Sequence, residues 1–180
     1  MTASPPAWFA TALATPAEEG SAQVEGARIR YRAWGERGAP GAVLVHGTAA
    51  HARWWDHVGP QLAAGMRVVA LDLSGHGDSD RREQYGLDRW AGEVVAVAAD
   101  GGISGAPVII GHSLGGNVAM RAAALHGAAL AGIAVIDSPT YEAPPEAQDT
   151  VMGSLFGGER TYASREAALA RFRQHENAGF

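Results

Sequence analysis

At 180 residues, 47% of them apolar, the chain has enough material for one hydrophobic core and too little for two ordinary domains. Its 14 Lys and Arg against 19 Asp and Glu leave a formal charge of -5 with no long block of one sign, which argues against a nucleic-acid partner. Cysteine is absent, which excludes disulfides, thiolate nucleophiles, iron-sulfur clusters and cysteine-ligated zinc.

Residues 1–20 form a Pro- and Ala-rich leader with no basic residue and with Pro5, Pro6 and Pro16 interrupting its apolar stretch. It is not a secretory signal by pattern, and no run reaches membrane-spanning length, so the expectation is a cytoplasmic protein without a membrane partner. Ala27 to Trp34 alternates Ile29, Tyr31 and Ala33 with Arg28, Arg30 and Arg32, a half-exposed strand expected in an antiparallel edge hairpin. Three runs then fail to alternate: Ala42 to Val45, Val68 to Leu71 and Val108 to Ile110. Such runs suit strands buried on both faces, and Gly132 to Ile136, ending at Asp137, is a fourth.

Helices are expected between them, over Ala52 to Ala64 before Gly65, Leu87 to Ala99 before Gly101 and Gly102, and Leu114 to His126 before Gly127, each glycine serving as a left-handed stop. Leu87, Trp90, Val94 and Val97 make one apolar stripe. The alternation predicts a doubly wound, mostly parallel α/β sheet over residues 21–138. From Pro139 onward the composition changes, and 139–180 reads as the beginning of a cap, with a helix from Ser164 to His175 and Ser164 as its N-cap.

The motif that carries chemistry is Gly111-His112-Ser113-Leu114-Gly115. It follows an apolar strand and opens a helix. A serine lifted clear of a sheet needs a sharp, strained strand-to-helix turn, and glycines two residues either side remove the collisions that turn would cause. The helix N-terminus then offers the Leu114 N–H to a developing oxyanion. A second donor, the Thr48 N–H, is expected from the His46-Gly47-Thr48 loop after the first buried run, with Gly47 letting the backbones approach. The competing reading of Ser113 is a helix cap in a Gly-rich turn. Asp137 reads either as an acid that orients a base or as a strand-end acid bonded to loop backbone. His46 and His112 would support their loops, His126 suits a helix C-terminus, and His51 and His57 are too far apart for a helical metal pair. Trp54 and Trp55 are expected to pack under the oxyanion loop.

The segments at 44–63 (LVHGTAAHARWWDHVGPQLA), 68–80 (VVALDLSGHGDSD), 107–120 (PVIIGHSLGGNVAM) and 132–139 (GIAVIDSP) together resemble the α/β-hydrolase superfamily, in particular its cofactor-free esterase, C–C hydrolase and epoxide-hydrolase-like branch. The resemblance implies an α/β-hydrolase fold, a nucleophile elbow at Ser113 and neither cofactor nor metal. Dehalogenases and true epoxide hydrolases of this pattern carry aspartate where Ser113 stands, so serine points to acyl transfer on a small ester, thioester or amide. The family's usual order is Ser, then Asp or Glu, then His. No histidine here follows a late strand, so acid and base are expected beyond Phe180. The 180-residue chain is then expected to be nearly inactive and, with a sheet edge uncovered, to self-associate. A non-catalytic small-molecule binder and a fragment without independent function are the alternatives, and the oligomeric state stays open.

Overall fold

A computed structural model describes residues 4–140, 162–167 and 169–170. Contacts divide the chain into Met1–Thr140 and Tyr141–Phe180. In the second unit, residues 165–167 and 169–170 are helical, and the Ser164 hydroxyl accepts the Ala167 N–H at 3.2 Å, the N-cap bond its position called for. The remainder of the expected cap helix, to His175, lies outside the described residues.

The first unit is built on a six-stranded sheet: β1 (Glu18–Val24), β2 (Ala27–Trp34), β3 (Gly41–Val45), β4 (Arg67–Leu71), β5 (Val108–His112) and β6 (Gly132–Ile136). Their order is β1-β2-β4-β3-β5-β6. β1 and β2 pair antiparallel, as do β2 and β4, and every later pair is parallel. The hairpin turn uses Glu25 (φ 45) and Gly26 (φ 79), two left-handed residues whose twist matches that of the strands. β1 reads EEGSAQV and carries no apolar alternation, so it begins inside the stretch taken for a leader.

The runs in β3 and β4 are buried on both faces, as expected of them, while β5 buries Ile109 on one face and leaves Val108 and Ile110 partly buried on the other. Val43, Val45, Val69, Leu71 and Ile109 join Trp90, Val94, Val97 and Val118 under α3 (Leu87–Asp100) and α4 (Leu114–His126). The intervening Leu44, Val68 and Ala70 face the other way, onto Trp34, Ala52 and Trp55. Each strand thus contributes to two cores in the alternation the pleat requires.

The helix expected over 52–64 is instead a 3-10 turn (Ala52–Trp55) followed by the four-residue α2 (Gly59–Leu62). Pro60 has no N–H to give to a continuing helix and stands in the first turn of a new one. A helix not foreseen, α1 (Ala7–Ala14), starts from Pro6; it has no charge and no single apolar stripe, hence no signature. Of the three glycine stops, only Gly102 (φ 82) is left-handed; Gly127 has φ -53 and passes α4 into a short 3-10 turn. Of the α3 stripe, Trp90, Val94 and Val97 are buried and Leu87, at the first residue of the helix, is 38% exposed.

The uncovered edge is β6. Its sequence is that of an interior strand, yet Ile133 and Ile136 are 38% and 45% exposed, because among the described residues β5 is its one neighbour. An apolar edge without charge or proline is a template for further pairing. Light scattering should find self-association of the chain, and Ala134→Lys should reduce it at unchanged secondary structure.

Candidate active site

β5 ends at His112 and α4 begins at Leu114, so a single residue, Ser113, makes the turn from strand to helix. Its φ of 54° and ψ of -117° lie where L-residues are strained by about 1–3 kcal/mol, a cost the surrounding contacts must outweigh. A Cβ on Gly111 would stand 2.0 Å from the Gly115 carbonyl oxygen, and one on Gly115 would stand 2.2 Å from that of Val45. β5, β3 and the start of α4 therefore meet backbone to backbone, an approach only glycine permits. The Ser113 hydroxyl makes no capping bond to α4. It is left out of the scaffold's hydrogen bonding, contrary to the helix-cap reading.

The loop after β3 runs against this elbow. A Cβ on Gly47 would lie 3.2 Å from the Ser113 Cβ and 3.1 Å from the His112 Nδ1. Thr48 and Ala49 form a turn closed by the Ala50 N–H to the Gly47 carbonyl at 3.3 Å, with Ala49 at φ 56. Among the described residues, neither the Thr48 nor the Leu114 N–H donates a hydrogen bond. Two unspent donors thus flank Ser113 in the chain segments that touch there.

His46 braces the loop from behind. It is fully buried; its Nδ1–H donates to the Gly47 carbonyl at 2.8 Å and its Nε2 accepts the Leu73 N–H at 3.2 Å. Both bonds require the neutral ring. Burial lowers its pKa to about 4, against the smaller opposing effect of the Gly47 carbonyl. The unfolded chain, with an ordinary histidine pKa near 6.5, takes up the proton first. Stability contributed by neutral His46 is therefore present above pH about 6.5 and lost as pH falls toward 4, in total roughly 3 kcal/mol. Urea midpoints between pH 7 and 4 should show this slope, and His46→Gln should be less stable at pH 7 but flatter across that window.

Residues to which the sequence reading gave no side-chain role complete the frame. Asp72, at the end of β4, is buried; its carboxylate accepts the Ala52 N–H at 2.6 Å and the Asp78 N–H at 2.8 Å. Gly77 is left-handed (φ 49), and a Cβ there would lie 2.3 Å from that carboxylate. Glu93 of α3 is fully buried and accepts the Ser74 N–H at 2.9 Å. A strand-end acid followed by S-G-H-G-D was the available signal for Asp72; Glu93, on an otherwise apolar helix face, gave none.

Trp55 is buried as expected, but Trp54 is 55% exposed and lies parallel to the His112 ring at 6.3 Å. Being beside the elbow and not beneath the loop, it belongs to the surface. The His112 Nε2 is 3.8 Å from the Asp137 carboxylate, which is 88% exposed. Asp137 has φ 49, and its side chain contacts the elbow histidine and no loop N–H. His57 packs near Phe9, His76 near His46, and His126 ends α4; His175 lies outside the described residues. No histidine among the described residues bonds the Ser113 hydroxyl, and these residues hold no group of three metal-ligating side chains. Cavities of about 260 Å³ beside Arg30, Arg53 and Asp72, and 570 Å³ beside Gly26 and Arg81, are not lined by Ser113. No helix of the described residues is long and apolar enough to cross a membrane.

Comparison with known proteins gives the family and the fold. The model of the family described as the alpha/beta hydrolase family matches residues 42–179. Epoxide hydrolase A of Mycobacterium tuberculosis is 38% identical over 127 residues, 67% of this chain and 39% of that protein. The dihydrolipoyllysine-residue acetyltransferase component of the acetoin cleaving system of Pseudomonas putida is 38% identical over 118 residues, 65% of this chain and 32% of that protein. The chain thus spans well under half the length of these relatives. Among solved structures, epoxide hydrolase A from Mycobacterium thermoresistibile superposes with a TM-score of 0.68 at 29% identity, over 82% of this chain and 47% of that one. The thioesterase domain from the curacin biosynthetic pathway gives 0.71 at 23% identity, over 89% and 62%, a likeness of fold.

Proposed function

The chain belongs to the alpha/beta hydrolase family, and from that premise we propose that it carries the nucleophile half of a serine hydrolase acting on a small ester, thioester or amide through an acyl-enzyme on Ser113. The observation that carries this reading is the pairing of a strained serine whose hydroxyl caps nothing with the unspent N–H groups of Thr48 and Leu114 in the segments that meet there. In the proposed step the Ser113 oxygen bonds to the acyl carbon as its proton passes to a base, and the carbonyl electrons move to an oxyanion held by those two N–H groups. Collapse of this intermediate expels the alcohol, thiol or amine with a proton, and water then returns Ser113 and releases the acid. Asp137 is the candidate acid within the chain, through its contact with the elbow.

No base contacts Ser113 among the described residues, so this chain alone should be slow, with roughly 10³ to 10⁴ over water from oxyanion stabilisation and binding. The relatives named epoxide hydrolases supply the competing substrate, against which the serine itself argues: the resemblance puts aspartate at that position in true epoxide hydrolases. The test is incubation with p-nitrophenyl acetate and, separately, an aryl epoxide, read by peptide mass spectrometry and by product release. The expected result is an acetyl adduct confined to Ser113, absent in Ser113→Ala, with slow turnover of the ester and none of the epoxide. A folded chain that never acetylates at Ser113 would overturn the acyl-enzyme reading and favour a non-catalytic binder.

A further inference from the structure

We infer that Ser138 is a positioning residue that aims the Leu114 N–H, and the inference rests on the reading of Ser113 as nucleophile. The starting point is the strain at Ser113: an L-residue stays at φ 54, ψ -117 only where its two flanking peptides are held from outside. Both are held by the segment that leaves β6. The Ser113 N–H donates to the Ile136 carbonyl at 2.9 Å, continuing the β5–β6 ladder. The Ser113 carbonyl accepts the Ser138 hydroxyl at 2.8 Å. That carbonyl's other bonds, from the Gly116 and Asn117 N–H groups at 2.9 and 3.3 Å, come from α4 itself and move with it.

The Ser113 carbonyl and the Leu114 N–H belong to the same peptide, which is planar and trans. Whatever fixes the carbonyl fixes the direction of the N–H on its opposite side. The Ser138 hydroxyl therefore sets, through one rigid unit, where the proposed oxyanion donor points. Two other features serve this contact. Asp137 takes a left-handed φ of 49°, bending the chain at the end of β6, and Ser138 beyond that bend reaches the elbow. Gly116 provides the space, since a Cβ there would lie 2.0 Å from the Ser138 oxygen. The hydroxyl also stands 3.1 Å from the Ile136 carbonyl, but it has one proton, and the shorter contact is the one to Ser113.

The experiment compares Ser138→Ala and Ser138→Thr with the unmodified chain. Acetylation of Ser113 by p-nitrophenyl acetate is followed against ester concentration, and the Leu114 amide and Ser113 Cα resonances are followed by NMR. Ser138→Ala should lower the limiting acetylation rate about tenfold, less than the loss of an oxyanion donor outright, with little change in half-saturation. It should also shift the Leu114 amide, and Ser138→Thr, which keeps the hydroxyl, should recover both signals. If Ser138→Ala does not fold, Ser138→Cys replaces it, and its weaker donor should give an intermediate rate and shift. An unmoved Leu114 amide in the variant overturns the inference, as does an unchanged acetylation rate. If the unmodified chain never acetylates, the nucleophile reading fails by itself, while the Leu114 resonance still decides whether Ser138 orients that peptide.

Discussion

Gly115→Ala is expected to cost the fold on the order of 3–5 kcal/mol, a large part of the stability of an ordinary domain. The added methyl would lie 2.2 Å from the Val45 carbonyl oxygen and 2.7 Å from that of His46. Both are backbone atoms at the end of β3, so no side-chain rotation can make room. Either α4 retreats from the sheet, opening the core around Val118 and Ala119, or β3 bends and carries the Gly47–Thr48 loop away from Ser113. Gly92→Ala on α3 is the control, since nothing lies within 4 Å of a Cβ there. Alanine at that mid-helix position should stabilise by up to about 1 kcal/mol. Urea midpoints of the two variants should therefore move in opposite directions. A Gly115→Ala chain with the midpoint of the unmodified protein would mean that strand and helix do not approach as closely as the structure has them.

That contrast also explains how much could be read from the sequence. The elbow is legible because its demands are local: a left-handed serine and two glycines are backbone requirements written within five residues. The interior strands are legible because their centres, Ala42 to Val45, Val68 to Leu71 and Val108 to Ile110, are short apolar runs that do not alternate, the pattern that covering both faces of a sheet produces. The polar frame is not legible, since its partners are distant in sequence. Arg67, 2% exposed, donates to the Gly101 and Gly35 carbonyls and to Glu18, and no window of residues announces such a set. The helix expected over 52–64 rested on its place between two strands and on Gly65 as a stop, and Gly59-Pro60 inside that span, where the chain begins anew, divides it. Trp54 and Trp55 are adjacent and alike in composition, and only the 3-10 turn decides which one is buried. β6 was read correctly as a strand, and its apolar residues record a preference for burial that the one neighbouring strand among the described residues only half satisfies.

Glu93→Ala should be the most damaging substitution away from the elbow, at about 3–5 kcal/mol, because it strands a buried charge. Glu93 is fully buried and pairs with the Arg82 Nε at 3.0 Å, and the Arg82 side chain is itself 8% exposed. Arg82 also donates to the Val24 and Glu25 carbonyls at 2.6 and 3.0 Å, so it cannot simply swing into water without releasing the hairpin. The other Glu93 oxygen holds the Ser74 N–H, which would lose its acceptor in a place without access to solvent. Ser74 adjoins Leu73, whose N–H bonds His46, and also accepts the Trp90 indole N–H at 3.3 Å on its carbonyl. Damage at Glu93 therefore travels along the 72–79 turn to the ring that supports the Gly47 loop, and acetylation of Ser113 should fall together with stability. Glu93→Gln keeps an acceptor for Ser74 and should lose less. Replacing both partners, as in Arg82→Met with Glu93→Leu, removes the orphaned charge and should recover much of the loss, since a buried ion pair often contributes little beyond an apolar pair of similar volume. A thermal melt of Glu93→Ala within about 0.5 kcal/mol of the unmodified chain, the size of an ordinary surface change, would show that water reaches Arg82 and that the pair does not hold the turn.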